Sequence, residues 1–346
     1  MTMGGHVDTC DACGHIRVSY NSCRNRHCPK CQGTQRERWI INREQDLLPV
    51  SYFHVVFTLP EPMNQLCIRY PVIMYNTLFH SAWETICVFS SDPKHLGAET
   101  GMISILHTWG QQLWLHPHLH CIVPGGGISG QGKWKKAKSN GKFLFPVKAM
   151  SKVFRGKFVD KLRKWARSEG IVLSRSLMDA LYQNPWVVYA KQPFFGPQQV
   201  VEYLGRYTHK IAISNHRLNS IENGNVTFTW KDYRDGEKRK VMTLQATEFL
   251  RRFCLHIMPA GFVRIRHYGF LSCRKKPSLH ELQRQLGVTP AKPEKLSWQS
   301  ICTLRLGYNV DICPCCGKGT MVTIERWIPG RSPPFIMKII EKQKRH

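Results

Sequence analysis

Three histidines occupy alternate positions in the segment HPHLH, which spans residues 116–120. Alternate side chains of a β-strand share one face and lie roughly 6.6 Å apart along it. His118 and His120 would therefore point the same way, and one divalent cation could bind both, since imidazole is a common ligand for Mn, Co, Ni and Zn. His116 has the same parity, but Pro117 is tolerated mainly at the start or edge of a strand. We therefore predict a metal site at His118 and His120, with His116 at the beginning of the strand.

A useful open metal site needs a third ligand, and His107 is the first candidate. It lies in the apolar run MISILHT at 102–108, which only a short WGQQ link separates from LWLHPHLHCIV at 113–123. Two strands so closely joined predict an antiparallel hairpin, which would bring His107 near the histidine pair. The alternative is that these histidines are packing or surface residues of the strands.

Two tyrosines stand four residues apart in VEYLGRYTHK, residues 201–210. On a predicted helix, Tyr203 and Tyr207 would place both hydroxyl groups on one face. A tyrosine hydroxyl, with an ordinary pKa of about 10, is a poor nucleophile at neutral pH. A metal ion that polarises a phosphodiester makes its attack feasible. Core packing is the alternative for an aromatic pair at this spacing.

Clustered cysteines predict a structural zinc site near the start of the chain. Cys10 and Cys13 form one CxxC, and Cys28 and Cys31 form a second after fourteen intervening residues. Two such turns can supply four thiolates to one tetrahedral zinc ion. The nearby Cys23 and His27 leave a different choice of four ligands, or a second ion, open. A further CxxC, made by Cys313 and Cys316, has no clear second pair, so a second zinc site there is possible.

The chain carries 50 Lys and Arg against 23 Asp and Glu, a formal net charge of +27. A surplus of this size indicates a polyanionic partner, most often nucleic acid. Candidate phosphate contacts lie in the cysteine-rich segment, on a basic helix that ends near 167, and beside the tyrosines. They are Arg24, Arg26, Lys161, Lys164, Arg206 and Lys210. The alternative is a solvated basic surface.

The elements that must position these residues alternate between strands and helices. Residues 51–59, SYFHVVFTL, predict a strand, residues 63–89 a largely helical segment, and 225–244 a hairpin turning at Asp235-Gly236. No apolar run of about 18 residues predicts a membrane span, and no hydrophobic signal segment opens the chain. These features predict an α+β protein of a reducing, cytoplasmic compartment.

Taken together, these motifs resemble the HUH superfamily of single-strand DNA endonucleases. In particular, the chain looks like the bacterial two-tyrosine rolling-circle insertion-sequence transposases with an N-terminal zinc-binding domain. The segments that carry this resemblance are SYNSCRNRHCPKCQ, HTWGQQLWLHPHLHCIVPGGG, YLGRYTHKIAISNHRL, RIRHYGFL and CPCCGKGTM. The resemblance implies a ferredoxin-like HUH endonuclease palm, an antiparallel sheet with helices, preceded by a small zinc-binding module. The implied domains are 1–45 (zinc-binding), 50–270 (endonuclease) and 271–346 (basic C-terminal region).

The resemblance also implies a chemistry. Single-stranded DNA at the ends of a mobile element would be cut through a 5′-phosphotyrosine at Tyr203 or Tyr207, with Mg²⁺ or Mn²⁺ on His118 and His120. Cys10 and its three partners match the family's zinc domain. The chain begins only nine residues before Cys10, which predicts a shortened N terminus. A replication initiator or relaxase with the same chemistry, a non-catalytic zinc-dependent DNA-binding protein and an inactive remnant are the competing interpretations.

Overall fold

A computed structural model describes most of the chain. The described residues are 3–23, 25, 27–28, 33–138, 144–190, 199–200, 203, 205, 212–233, 235–291 and 296–328. The strands of this part are β1 (Gly5–Cys10), β2 (Ile16–Tyr20), β3 (Tyr52–Thr58), β4 (Gly101–Trp109), β5 (Leu115–Pro124), β6 (Gly126–Ile128), β7 (Trp134–Lys136), β8 (Val188–Ala190), β9 (Leu218–Glu222), β10 (Asn225–Asp232), β11 (Lys238–Gln245), β12 (Ile265–Gly269) and β13 (Met321–Trp327).

Eight α-helices have their bounds within the described residues. They are α1 (Gly33–Glu44), α2 (Asn64–Arg69), α3 (Pro71–Ser91), α4 (Val147–Ser168), α5 (Arg175–Gln183), α6 (Ala246–Cys254), α7 (Lys276–Gln285) and α8 (Trp298–Leu306). Val200, Tyr203 and Gly205 are also helical. None of the described helices is both long and apolar enough to cross a bilayer.

The chain forms two compact units, and the smaller one combines both ends of the sequence. It comprises residues 1–39 and 293–346, and its antiparallel sheet has the order β13-β1-β2. The predicted division at 45 and 271 therefore differs from the observed one. The reason is strand pairing: β13, near the C terminus, completes the sheet that β1 and β2 begin.

The larger unit, residues 40–292, is built on a five-stranded antiparallel sheet of order β12-β4-β5-β3-β8. Helices α3 and α4 contribute large apolar side chains to the main core, as at Phe79 and Phe154, and the sheet contributes residues such as Phe57 and Leu119. The Phe57 and Phe154 rings meet at 5.0 Å between centroids. The expected α+β architecture, an antiparallel sheet with helices on one face, is confirmed.

A second sheet, of order β11-β10-β9, follows the tyrosine-bearing helix in the chain. Its hairpin turns at Asp235-Gly236, as the sequence predicts. Phe228 is fully buried in a small core of its own. Leu113, at the turn between β4 and β5, joins this core with a backbone φ of 62°.

Candidate catalytic centre and zinc site

The histidines lie on the sheet face opposite α3 and α4. In β5, Leu119 and Cys121 are buried in the core beneath those helices. Because side chains alternate along a strand, His118 and His120 point to the other face. The antiparallel register sets His107 of β4 directly opposite His118. Strand alternation and register thus bring together the three histidines that the sequence singled out.

The ring nitrogens of these histidines form a compact set of potential metal ligands. One nitrogen from each of His107, His118 and His120 lies within 4.8 Å of the other two. The Nε2 atoms of His118 and His120 are 3.1 Å apart. Two adjacent ligands of an octahedral ion, each about 2.1 Å from the metal, are also about 3 Å apart. The donor set and its spacing therefore fit a small divalent cation.

The protonation of His118 suits this role. Its Nδ1 lies 2.6 Å from the carbonyl oxygen of His116, so Nδ1 is the nitrogen that donates. A hydrogen bond of this kind leaves Nε2 unprotonated and aimed at the cluster, the usual arrangement of a metal-binding histidine. Burial lowers the pKa of His118 to about 4. The ring is therefore neutral at neutral pH, the form that binds metals.

A fourth histidine, His54, lies between this cluster and a tyrosine. Its Nε2 is 2.9 Å from Nδ1 of His120. The two ring planes differ by only 13° and their centroids are 5.2 Å apart, so the rings meet edge to edge with the hydrogen bond in both planes. The Tyr203 hydroxyl lies 3.0 Å from Nδ1 of His54 and 3.4 Å from its Nε2. One imidazole thus connects Tyr203 to the histidine cluster.

Sequence reasoning missed His54, although a signal was present. The segment SYFHVVFTL was interpreted only as a strand. Phe53 and Val55 are buried in the core, which turns His54 of β3 to the same face as His120. Only the pairing of β3 with β5 shows that the two histidines are neighbours.

Several predicted site residues are not found at the histidine cluster. Six of them lie outside the described residues, namely Tyr207, Arg206, Lys210, Arg24, Arg26 and Cys31. Lys161 and Lys164 lie on α4, which packs on the opposite side of the sheet from the histidines. Lys161 pairs with Glu84 at 2.7 Å and Lys164 with Asp160 at 2.9 Å. DNA contact by any of these residues remains a prediction.

Four cysteines of the smaller unit form a second potential metal site. Cys10 and Cys13 meet Cys313 and Cys316, with all four sulfur atoms within 4.8 Å of one another. The Sγ–Sγ distances are 3.7 Å for Cys10–Cys316 and for Cys13–Cys313. Four thiolates about 2.3 Å from a tetrahedral zinc ion would be about 3.8 Å apart. The geometry therefore fits a closed zinc site.

This grouping corrects the predicted ligand set. The sequence paired the first CxxC with Cys28 and Cys31, whereas the structure sets the distant Cys313–Cys316 pair opposite it. The cause is the pairing of β1 with β13, in which Cys10 lies opposite Met321. Cys28 is half-buried, and a separate site that uses it with Cys31 remains a prediction.

The two CxxC turns have matching backbone geometry. In each, the glycine that follows has positive φ, 69° at Gly14 and 67° at Gly317. The N–H of that glycine donates to the carbonyl of the first cysteine, at 3.0 and 2.9 Å. Hydrogen bonds from the backbone N–H groups of Gly319 and Lys318 lower the pKa of Cys316 to about 6. Backbone donors of this kind favour the thiolate form that binds metals.

Two family models match the chain. One is described as "Putative transposase" and covers residues 101–278, which include the histidine cluster and the tyrosines. The other, "Transposase zinc-binding domain", covers residues 1–59. No solved structure matches the chain.

Two curated proteins are similar over almost the whole chain. "Putative transposase y4qJ" of Sinorhizobium fredii is 44% identical over 351 residues, which span 96% of this chain and 87% of that protein. "Transposase for insertion sequence element IS801" of Pseudomonas savastanoi pv. phaseolicola is 28% identical over 340 residues, 93% of this chain and 78% of that protein. The chain belongs to this transposase family, the rolling-circle HUH transposases with an N-terminal zinc-binding domain.

Proposed function

We propose that this transposase cleaves and rejoins single-stranded DNA at the ends of a mobile element through a 5′-phosphotyrosine. The observation that carries the proposal is the Tyr203 hydroxyl, which lies 3.0 Å from an imidazole that is itself hydrogen-bonded to the histidine cluster. A phosphodiester held at the cluster would lie within reach of this oxygen. We propose that the reaction takes place in the bacterial cytoplasm, on DNA of the nucleoid.

The proposed step exchanges one phosphoester for another. The oxygen of Tyr203 gives up its proton and attacks the phosphorus, the bond from phosphorus to the 3′ oxygen breaks, and the 3′ oxygen takes up a proton and leaves as a free 3′-hydroxyl. DNA remains attached to the protein through its 5′ phosphate. Tyr207, four residues further on, would perform a second transfer, so that one DNA end stays bound while the other is cut.

His107, His118 and His120 would hold Mg²⁺ or Mn²⁺ for this reaction. When bound, the ion would withdraw charge from the phosphate and stabilise the negative charge of the transition state. Imidazole ligands favour Mn²⁺ over Mg²⁺. In the smaller unit, the four-cysteine site would hold a structural zinc ion. The basic residues that would contact DNA phosphates come from both units: Arg24, Arg26, Lys161, Lys164, Arg206 and Lys210.

The test uses purified full-length protein, MnCl₂ or MgCl₂, and labelled single-stranded oligonucleotides that tile the DNA flanking the gene. We expect a protein–DNA adduct that survives denaturation, disappears with EDTA, and maps by mass spectrometry to Tyr203 or Tyr207. Binding without an adduct on any oligonucleotide in either metal would contradict the proposal and favour a non-catalytic DNA-binding protein or a remnant.

Matched variants make the test specific to the site. His118→Ala and His120→Ala should abolish the adduct while DNA affinity stays within about twofold, because the basic surface is unchanged. As controls, His280→Ala and Tyr182→Phe remove a half-buried histidine of α7 and an exposed tyrosine of α5. An equal loss of DNA binding in the His118 and His120 variants would mean that these histidines are structural.

A further inference from the structure

We propose that Trp114 stacks on a base of the single-stranded DNA, close to the phosphate that is cleaved. The inference rests on the proposed function and names a residue that holds the substrate without taking part in the bond exchange. Trp114 lies immediately before β5, and 49% of its surface is exposed. The flat face of an unpaired base stacks readily on an exposed aromatic ring of this kind.

The position of Trp114 in the hairpin places it on the face of the sheet that carries the histidines. Leu115 and Pro117 are buried, whereas Trp114 and His116, which alternate with them, are exposed. Because side chains alternate along a strand, the indole projects to the same side as His118. Trp114 and His118 are four positions apart, which is about 13 Å along an extended strand. DNA with one phosphate at the histidine cluster would therefore reach Trp114 within a few nucleotides.

One face of the indole is already covered by a charged side chain. The guanidinium group of Arg252, on α6, lies over the Trp114 ring with its central carbon 3.6 Å from the ring centroid. Arg252 is itself buried and forms an ion pair with Glu248 at 2.7 Å. The exposed surface of Trp114 therefore belongs to the opposite face of the ring and to its edges. A base on that opposite face would form a third layer above the guanidinium group and the indole.

The turn that carries Trp114 is fixed by side chains from other parts of the larger unit. Three successive carbonyl groups of the turn accept hydrogen bonds from side chains, namely that of Gln111 from Arg217 at 2.5 Å, that of Gln112 from Arg252 at 3.2 Å and that of Leu113 from His256 at 3.1 Å. The carbonyl of Trp114 itself accepts from the N–H of Gly110 at 3.0 Å. The indole is thus held in place before DNA binds, so that stacking costs little conformational freedom.

A contact of this kind distinguishes single-stranded from double-stranded DNA. In a duplex, each base is covered on both faces by its neighbours, and it must leave the stack before a protein ring can contact its face. An unpaired base has no such cost, and every base has a π face, so the contact tolerates any sequence. Phosphate contacts, in contrast, bind both forms of DNA. Trp114 therefore favours single strands without specifying their sequence.

The test compares Trp114→Ala and Trp114→Phe with the wild-type full-length protein, by fluorescence anisotropy with labelled DNA. The affinity for a single-stranded oligothymidylate should fall about tenfold in Trp114→Ala and stay within about twofold of the wild type in Trp114→Phe, which keeps an aromatic face. The affinity for a duplex of the same length should change by less than about twofold in both variants, and the dependence on salt should be unchanged, because no phosphate contact is lost.

Tyr182→Ala is the matched control, since Tyr182 is an exposed aromatic residue of α5 with the guanidinium group of Arg155 over its ring at 4.8 Å. This variant should bind both forms of DNA like the wild type. An equal loss of affinity for single strands and duplexes in Trp114→Ala would overturn the proposal. Wild-type affinity for the single strand in Trp114→Ala would also overturn it, and would leave the indole only a role in covering Arg252.

Photocrosslinking provides a second test that needs no variant. Wild-type protein is irradiated with a single-stranded oligonucleotide that carries 5-iododeoxyuridine in place of thymidine, and the crosslinked peptides are mapped by mass spectrometry. We expect a crosslink at Trp114, and crosslinks at other residues alone would overturn the proposal. If the wild-type protein forms no covalent adduct with DNA in the presence of metal, the proposed function fails, whereas the affinities and the crosslink still decide the role of Trp114.

Discussion

At the scale of single residues, the histidine cluster depends on strand parity and on one hydrogen bond to the ring of His118 and one to the ring of His120. His118 is fixed by the carbonyl of His116, and His120 by the ring of His54. Each of these bonds occupies the nitrogen that does not face the cluster. The rings are therefore oriented for a shared ion by ordinary strand geometry together with these two bonds.

The cysteine grouping gives a first prediction at this scale. Cys313→Ser should lower the zinc content by about one ion per chain, because a closed site loses one of its four thiolates. The matched control is Cys315→Ser, since Cys315 lies in the same loop but outside the cluster. Zinc content is measured by mass spectrometry of the purified proteins. An undiminished zinc content in Cys313→Ser would show that the zinc ligands are the N-terminal cysteines alone.

A buried histidine of the larger unit predicts a pH dependence of stability. His256 is in hydrogen-bond contact with Thr108 at 3.2 Å and the carbonyl of Leu113 at 3.1 Å, and burial lowers its pKa from 6.5 to about 4. The unfolded chain thus takes up a proton more readily than the folded one. Protonation of His256 therefore does not affect the free energy of unfolding above pH 6.5. As the pH falls from 6.5 towards 4, the free energy of unfolding decreases by up to about 3 kcal/mol.

The measurement is urea unfolding at several pH values across that window. His256→Gln should be less stable near neutral pH and should lose less stability on acidification than the wild type. His280→Gln, at a half-buried surface position, serves as the control and should keep the wild-type slope. An identical slope in His256→Gln would show that another group causes the acid sensitivity.

At the scale of elements, strand β12 depends on a glycine at its end. Gly269 has a φ of 58° and pairs with Gly101 on β4. A Cβ atom at Gly269 would lie 1.9 Å from the carbonyl oxygen of Thr100. No side chain fits there unless the two strands separate.

Gly269→Ala should therefore lower the free energy of unfolding by about 2 kcal/mol or more. The control is Gly130→Ala, because a Cβ at Gly130 would have no atom within 4 Å. Chemical denaturation of both variants measures the difference. If the two substitutions cost the same, the close approach of β12 to β4 does not limit stability.

The sequence predicted most of these elements because their patterns are local. The hairpin of β4 and β5 and that of β10 and β11 each join segments that are adjacent in the chain. The pairing of β3 with β5 brings together residues as far apart in the chain as His54 and His120, which are 66 positions apart, and no local pattern specifies it. The contact of His54 with His120 was missed for that reason.

At the scale of the whole molecule, the net charge of +27 predicts binding of DNA with a strong dependence on salt. Contacts to about six phosphates of a single strand would give a slope of about −4 when log affinity is plotted against log salt concentration. Fluorescence anisotropy with a labelled oligonucleotide at several NaCl concentrations measures this slope. An affinity that hardly changes with salt would rule out an extensive phosphate-binding surface.

The sequence by itself determined the residues that can do chemistry. Each of these motifs, the alternating histidines, the tyrosine pair and the CxxC turns, is a pattern of only a few neighbouring residues. Only the tertiary structure decided which of them meet. It closed the zinc site between Cys10 and Cys316, and it set His54 beside His120. Both pairings depend on hydrogen bonds between strands far apart in the chain. The side-chain pattern of a strand specifies which face is buried but not which distant strand lies beside it.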